Sequence, residues 1–101
     1  MAKVYPCKGR VVLWPGEMGA WHFVHIDKKT SEILKEKHGK VRRGFGSIPV
    51  MAKIGKTEWK TSIFPDKRSG TYLLPLKASV RRAEGIAADE SIAFRLTPLS
   101  P

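Results

Sequence analysis

Alternation of apolar with mostly polar residues, at a period of two, is the feature that most constrains how this chain folds. It runs through residues 47–54 and again through residues 57–64. The side chains that share a face are Ile48, Val50, Ala52 and Ile54 in the first segment and Trp59, Thr61 and Ile63 in the second. Because successive side chains of a strand point to opposite faces, the pattern predicts two strands that each bury one face. Gly55-Lys56 between them predicts a hairpin.

Four further segments have the β-branched and aromatic composition of strands. They are residues 7–13, 20–26, 71–77 and 91–97. In the first segment, Cys7, Val11 and Leu13 fall on one face. The second segment is apolar on both faces, which favours a fully buried strand with Trp21 in the core. Together with the hairpin, these segments predict six strands.

Two short helices are predicted between the strands. Residues 27–38 favour one helix, with basic residues in its last turn. Residues 78–84 favour a second, which Gly85 closes in the left-handed conformation. The candidate N-terminal caps are Asp27 or Thr30 for the first helix and Ser79 for the second.

The order of these elements repeats along the chain. Residues 21–54 and 72–96 each contain an apolar strand, a helix that ends at a glycine, a connection and an alternating strand. Such units with short connections favour a small closed barrel, which leaves no unpaired strand edge. A length of 101 residues leaves room for one core. The expected fold is therefore mainly β: a single closed six-stranded β-barrel domain over residues 1–101, built from two strand-helix-strand units with two short helices and closing as a monomer.

The charge balance favours an anionic partner. The chain has 19 Lys and Arg against 9 Asp and Glu, a net charge of +10, and nucleic acid is the most abundant polyanion. Basic side chains in connections and short-helix positions are the candidates for phosphate contacts, and Trp14 at a strand end is a candidate for base stacking or for lining a pocket. The candidate nucleic-acid-binding residues are Arg42, Arg43, Lys67, Arg68, Lys77, Arg81 and Arg82. The competing interpretation is a solvated basic surface with no single ligand.

Two alternatives belong to other functional classes. One is a small-molecule pocket or enzyme site in the mouth of the barrel, where Trp14, Arg43 and Lys67 would hold an anionic metabolite. The other is a module that binds, protects or regulates a protein partner.

Gly44 and Gly46 follow two arginines and are compatible with a phosphate cradle, but a corner of the barrel is the favoured role for them.

Catalysis, metals and cofactors find little support in the sequence. Cys7 is interpreted as a small buried hydrophobe and not as a nucleophile. His22 and His25 are three residues apart on a strand, so they point to opposite faces and cannot share a metal ion. With one cysteine and no dinucleotide loop, no cofactor is expected. The absence of a long apolar run predicts no membrane partner and a cytoplasmic location.

Five stretches of the chain, taken in order, resemble the family known as domain of unknown function 1905. They are Leu13-Trp14-Pro15-Gly16, Trp21-His22-Phe23-Val24, Arg42-Arg43-Gly44-Phe45-Gly46-Ser47 and the longer stretches 59–67 and 74–85. The resemblance covers most of the chain. It implies a closed six-stranded barrel and assigns no catalytic residue.

A more distant resemblance concerns the second repeat. Leu74-Pro75, Val80-Arg81 and the stretch 85–90 are similar to the swapped-hairpin unit of AbrB-like transition-state regulators. In that family two chains each supply one unit of a barrel, whereas here both units would come from one chain. The turn at Ala88-Asp89-Glu90 departs from the pattern, since those units usually have glycine before the acidic residue.

Overall fold

The computed structural model describes residues 3–16, 19–38 and 46–99, which form six strands and two helices. The strands are β1 (Tyr5–Gly16), β2 (Gly19–His25), β3 (Ile48–Ile54), β4 (Thr57–Asp66), β5 (Thr71–Pro75) and β6 (Ser91–Pro98). The helices are α1 (Lys28–His38) and α2 (Ala78–Glu84).

The six strands close into one barrel with the ring order β1-β2-β5-β4-β3-β6, and every neighbouring pair is antiparallel. The predicted closed six-stranded barrel with two helices is confirmed. The order strand, strand, helix, strand occurs twice along the chain. If β1, β2 and β3 are exchanged with β4, β5 and β6, the same strands remain neighbours in the ring. The repeat seen in the sequence is therefore also a repeat in the topology of the barrel.

Alternating side chains from all six strands fill the barrel. The inward residues of β3 and β6 are buried as predicted, and so are Trp59 and Ile63 of β4. The side chains with almost no exposed surface include Val11, Val24, Ile48, Val50, Ile63, Leu74 and Leu96. Each fully buried side chain of this kind stabilises the fold by about 1.5–3 kcal/mol relative to its exposed state. This common core is what holds the ring closed.

The first turn of α1 ties this helix to the barrel. Asp27 caps it, as predicted, because its Oδ2 accepts a hydrogen bond from the backbone N–H of Thr30 at 2.9 Å. Ser31 is buried, and its Oγ donates a hydrogen bond to the carbonyl of Ile26 at 3.1 Å. The same oxygen accepts one from the backbone N–H of Tyr72 at 3.1 Å. One hydroxyl group thereby joins α1 to the start of β5.

α2 ends as predicted but begins differently. Gly85 is left-handed, with φ 62° and ψ 38°, and the N–H of Ile86 donates to the carbonyl of Arg81 at 2.9 Å. The N-cap residue is Lys77, which makes no side-chain capping bond, so the prediction that Ser79 caps α2 is wrong. Lys77 is still extended, and the helix begins at the next residue. Ser79 therefore lies inside the first turn.

Two residues are more exposed than the sequence pattern indicates: Trp21, predicted to lie in the core, and Leu13, predicted to share a face with Cys7 and Val11. Trp21 is 57% exposed and Leu13 is 45% exposed. A closed barrel has one interior, so only the face of β2 that carries Val24 is buried, and Trp21 lies on the other face. Leu13 is two residues from Val11 and points to the same side of β1. Its partner on β2 is His22, which lies beyond Phe23, the last residue of β2 that pairs with β5. Leu13 is therefore at the end of the barrel, where the core no longer covers it.

β1 changes partner next to Gly9. It pairs with β6 as far as Arg10 and with β2 from Val11 onward. A Cβ added at Gly9 would overlap the carbonyl oxygen of His25 and would come within 2.8 Å of Cγ2 of Val24. Because the first of these neighbours is backbone, the position accepts only glycine.

Gly9→Ala should therefore destabilise the barrel. Overpacking of this kind costs about 1–3 kcal/mol, and each kcal/mol lowers the melting temperature of a domain of this size by roughly 4–8 °C. Thermal unfolding followed by circular dichroism measures the change. Lys8→Ala, at the exposed neighbouring position, is the control and should leave the melting temperature unchanged. Equal melting temperatures for Gly9→Ala and the natural sequence would contradict the close approach.

Candidate functional site

Three aromatic side chains lie together on the outer face of the β1–β2 hairpin. Trp14 and Trp21 are cross-strand partners, 44% and 57% exposed. The ring of Trp21 stacks on Phe23 with 6.2 Å between centroids and 8° between planes. Trp14 meets Phe23 edge-on, at 6.2 Å and 77°. We call Trp14, Trp21 and Phe23 the aromatic face.

Arg68 reaches the aromatic face from the β4–β5 turn. Its Cζ lies 4.9 Å from the centroid of the Trp14 ring, which is a cation–π distance. The turn is held by Asp66, whose Oδ2 accepts a hydrogen bond from Oγ of Ser69 at 2.9 Å and whose Oδ1 accepts one from the N–H of Arg68 at 3.2 Å. The hydrogen bond from Ser69 is the largest cause that lowers the pKa of Asp66. The carboxylate is therefore charged at neutral pH and fixes the turn that presents Arg68.

A cleft opens where β5 ends. β5 lies between β2 and β4 but stops at Pro75, which has no N–H to donate to the next position of the ladder. β2 and β4 run on past this point, and the gap beside the start of α2 is a cavity of about 370 Å³. We call this cavity the cleft. The side chains that matter for its chemistry are Trp21, His22, Trp59, Lys60, Lys77 and Arg81.

Hydrogen bonds to the backbone of Leu76 fix one wall of the cleft. The N–H of Leu76 donates to the carbonyl of His22 at 2.9 Å. The carbonyl of Leu76 accepts from Nε of Arg81 at 3.2 Å. One nitrogen of the guanidinium is thus used to hold Arg81 at the cleft, and the other two make no hydrogen bond to any residue of the described ranges.

The charged side chains that line the cleft are all basic. Lys60, Lys77 and Arg81 contribute to its lining, and no described Asp or Glu does. Burial, and after it the charge of Arg81, lowers the pKa of His22, so that its imidazole is neutral at pH 7. Nδ1 of His22 is buried and has no hydrogen-bond partner within the part of the chain that the structure describes. The cleft therefore combines the exposed indole of Trp21, a small exposed part of Trp59, three cations and a neutral imidazole.

The predicted cations lie in several places. Lys77 and Arg81 line the cleft, Arg68 lies over Trp14, and Arg82 is exposed on α2. Lys67 lines a second cavity of about 510 Å³ beside α1, where acidic residues accompany it. Those acidic residues are Glu32 and Asp66. Arg42 and Arg43, together with Gly44, lie outside the described residues.

Lys60, Trp21 and Phe23 are site residues that the sequence reasoning missed. The signal was available, because a closed barrel was predicted and it has one interior. Trp21 and Phe23 alternate with the inward Val24, and Lys60 follows the buried Trp59, so all three had to face outward.

Other polar residues have structural partners. Nδ1 of His25 is 3.2 Å from Oγ1 of Thr71, away from the cleft that His22 lines. A carboxylate oxygen of Glu84 accepts a hydrogen bond from Oγ1 of Thr57 at 2.6 Å. Within residues 3–16, 19–38 and 46–99, no three His, Cys, Asp or Glu side chains come together as metal ligands would. The helices in these ranges are too short and too polar to cross a membrane.

These features define a class of protein: a small closed antiparallel barrel with tryptophans and basic side chains on its outer surface. The chain belongs to the family described as domain of unknown function (DUF1905), whose model matches residues 8–96. The family resemblance expected from the sequence is thereby confirmed, and the likeness to AbrB-like units stays a prediction. None of the curated proteins compared with the chain matches it.

Cys7 should be chemically inert in the folded protein. Its thiol donates to the carbonyl of Tyr5 at 3.4 Å, and burial, with a smaller effect of Asp27, raises the pKa of Cys7 to about 12. Because the thiolate is the reactive form, we expect a disulfide reagent at pH 8 to react at least about 100-fold more slowly with the folded chain than with the chain in guanidinium. The absorbance of the released thiolate measures both rates. Comparable rates would show that Cys7 is accessible and activated.

Proposed function

We propose that the protein binds single-stranded nucleic acid along the aromatic face and the adjoining cleft. The observation that carries the proposal is the pair of exposed tryptophans, Trp14 and Trp21, packed on Phe23 on the outside of a strand pair. Exposed aromatic rings on a sheet are the surface on which unpaired bases stack, and they accept any base because every base has a π-face.

The arrangement of the rings supports this use. Trp14 and Trp21 are opposite each other on paired strands, and each ring contacts Phe23, so their positions are fixed before a ligand arrives. Side chains that are already ordered lose little entropy on binding. Most of the stacking free energy is then available for affinity.

The charges around the rings support a polyanion and not a neutral partner. Arg68 lies at the Trp14 end, and Lys60, Lys77 and Arg81 line the cleft at the Trp21 end. The net charge of +10 adds long-range attraction. Cations grip phosphates irrespective of sequence, and both helices in the described ranges are short, so we expect weak sequence selectivity.

Replacing either tryptophan by alanine should weaken binding of a fluorescent oligo-dT. A stacked base is worth about 1–3 kcal/mol by alanine substitution, which corresponds to an affinity loss of roughly 5- to 150-fold for Trp14→Ala or Trp21→Ala. Fluorescence anisotropy in low salt measures the affinity, and melting temperatures check that the variants fold. Leu99→Ala removes an apolar side chain of similar exposure elsewhere and should bind like the natural sequence. Equal affinities for all three variants would exclude the aromatic face as the binding surface.

Binding should also weaken steeply with salt. If Lys60, Arg68, Lys77 and Arg81 each neutralise a phosphate of a single strand, the slope of log affinity against log salt is about −3. Arg68→Ala should reduce the slope by about 0.7, whereas Lys28→Ala on the exposed side of α1 should not change it. A slope near zero, with binding still lost in the tryptophan variants, would point to an uncharged partner surface and overturn the nucleic-acid proposal.

A further inference from the structure

We propose that the cleft is a site for a nucleoside monophosphate, namely the phosphorylated terminal nucleotide of a strand that lies on the aromatic face. The position of the strand rests on the proposed function. The preference for a nucleotide with a terminal phosphate rests on the cleft itself.

The size and position of the cleft limit it to one nucleotide. Its volume of about 370 Å³ is near the lower end of the range for small-molecule sites, about 300–1,000 Å³. Trp21 belongs both to the aromatic face and to the lining of the cleft. α2 borders the cleft beyond the end of β5, so a strand that passes Trp21 meets protein there and not open surface. The nucleotide in the cleft is therefore the last one.

The charge of the cleft fits a terminal phosphate better than an internal one. An internal phosphodiester carries a single negative charge, whereas a phosphate monoester carries about 1.5 to 2 at pH 7. Three cations line the cleft without a carboxylate among its described lining residues. Arg81 also has two guanidinium nitrogens that make no hydrogen bond to a described residue, and these suit the oxygens of a phosphate.

The remaining lining residues fit a base. Trp21 is more than half exposed and offers its ring to a base, while Trp59 lines the cleft with a nearly buried side chain. The neutral imidazole of His22 has one donor and one acceptor nitrogen. Its Nδ1 is buried, so Nε2 is the nitrogen through which it can bond to the edge of a base or to a ribose hydroxyl.

Calorimetric titration with adenosine 5′-monophosphate, adenosine and inorganic phosphate tests the cleft alone. We expect the monophosphate to bind at least tenfold more tightly than either of the other two probes. The double variant Lys60→Ala/Lys77→Ala should lose this preference, while Lys28→Ala/Lys29→Ala, two exposed cations of α1, should keep it. Arg81 is left in place because its Nε holds the carbonyl of Leu76. Equal binding of adenosine and its monophosphate, phosphate binding as tight as the monophosphate, or identical behaviour of the two double variants would overturn the inference.

A second titration separates the cleft from the strand proposal. It compares oligo-dT with a 5′-phosphate, with a 3′-phosphate and with neither. Tighter binding of one phosphorylated form, lost in Lys60→Ala/Lys77→Ala, supports the terminal site, and equal binding of all three overturns it while leaving the proposed function intact. If the monophosphate binds but no oligonucleotide does, the cleft stands as a nucleotide site and the proposed function fails.

Discussion

Closure of the sheet into a ring is the constraint on which the other features of this protein depend. Each strand has a neighbour on both sides of it in the ring, so its side chains can take only two kinds of position. Inward positions form the core. Outward positions do not contribute to the core, and at Trp14, Trp21 and Phe23 they carry aromatic rings. These rings are available to a ligand because strand alternation places them on the outside of the barrel.

The early end of β5 creates the second half of the candidate site. β5 is the shortest of the six described strands, and Pro75 ends its ladder while β2 and β4 continue. Without further support, the chain after Pro75 would be a loop at the rim. The hydrogen bonds from Leu76 to His22 and from Arg81 to Leu76 hold it instead as a fixed wall. Rigid placement of charged groups is what separates a binding site from a basic surface.

The sequence predicts the fold well, because its strands have regular alternation. In β3, β4 and β6 the inward residues are those that the pattern selects, and Gly85 ends α2 as predicted. The candidate site is predicted only in part. Lys77 and Arg81 come together, but Lys67 lies in a different cavity and Trp21 is outside the core. Which connections approach each other depends on the ring order and on where β5 stops, and neither is encoded in local spacing.

The repeated topology makes the order of the two halves along the chain interchangeable. Tyr5, at the start of β1, is paired with Leu96, near the end of β6. The two strands are antiparallel there, as β3 and β4 are where Ile54 pairs with Thr57 beside the hairpin turn. A circular permutant that joins β6 to β1 by a tight turn and opens the chain at Gly55-Lys56 would keep every strand pairing of the barrel. The same opening divides the chain into two segments of three strands and one helix, from which a split version of the domain could be assembled. Because the aromatic face lies on the first segment and Lys60, Lys77 and Arg81 on the second, reassembly of the halves would also rebuild the cleft.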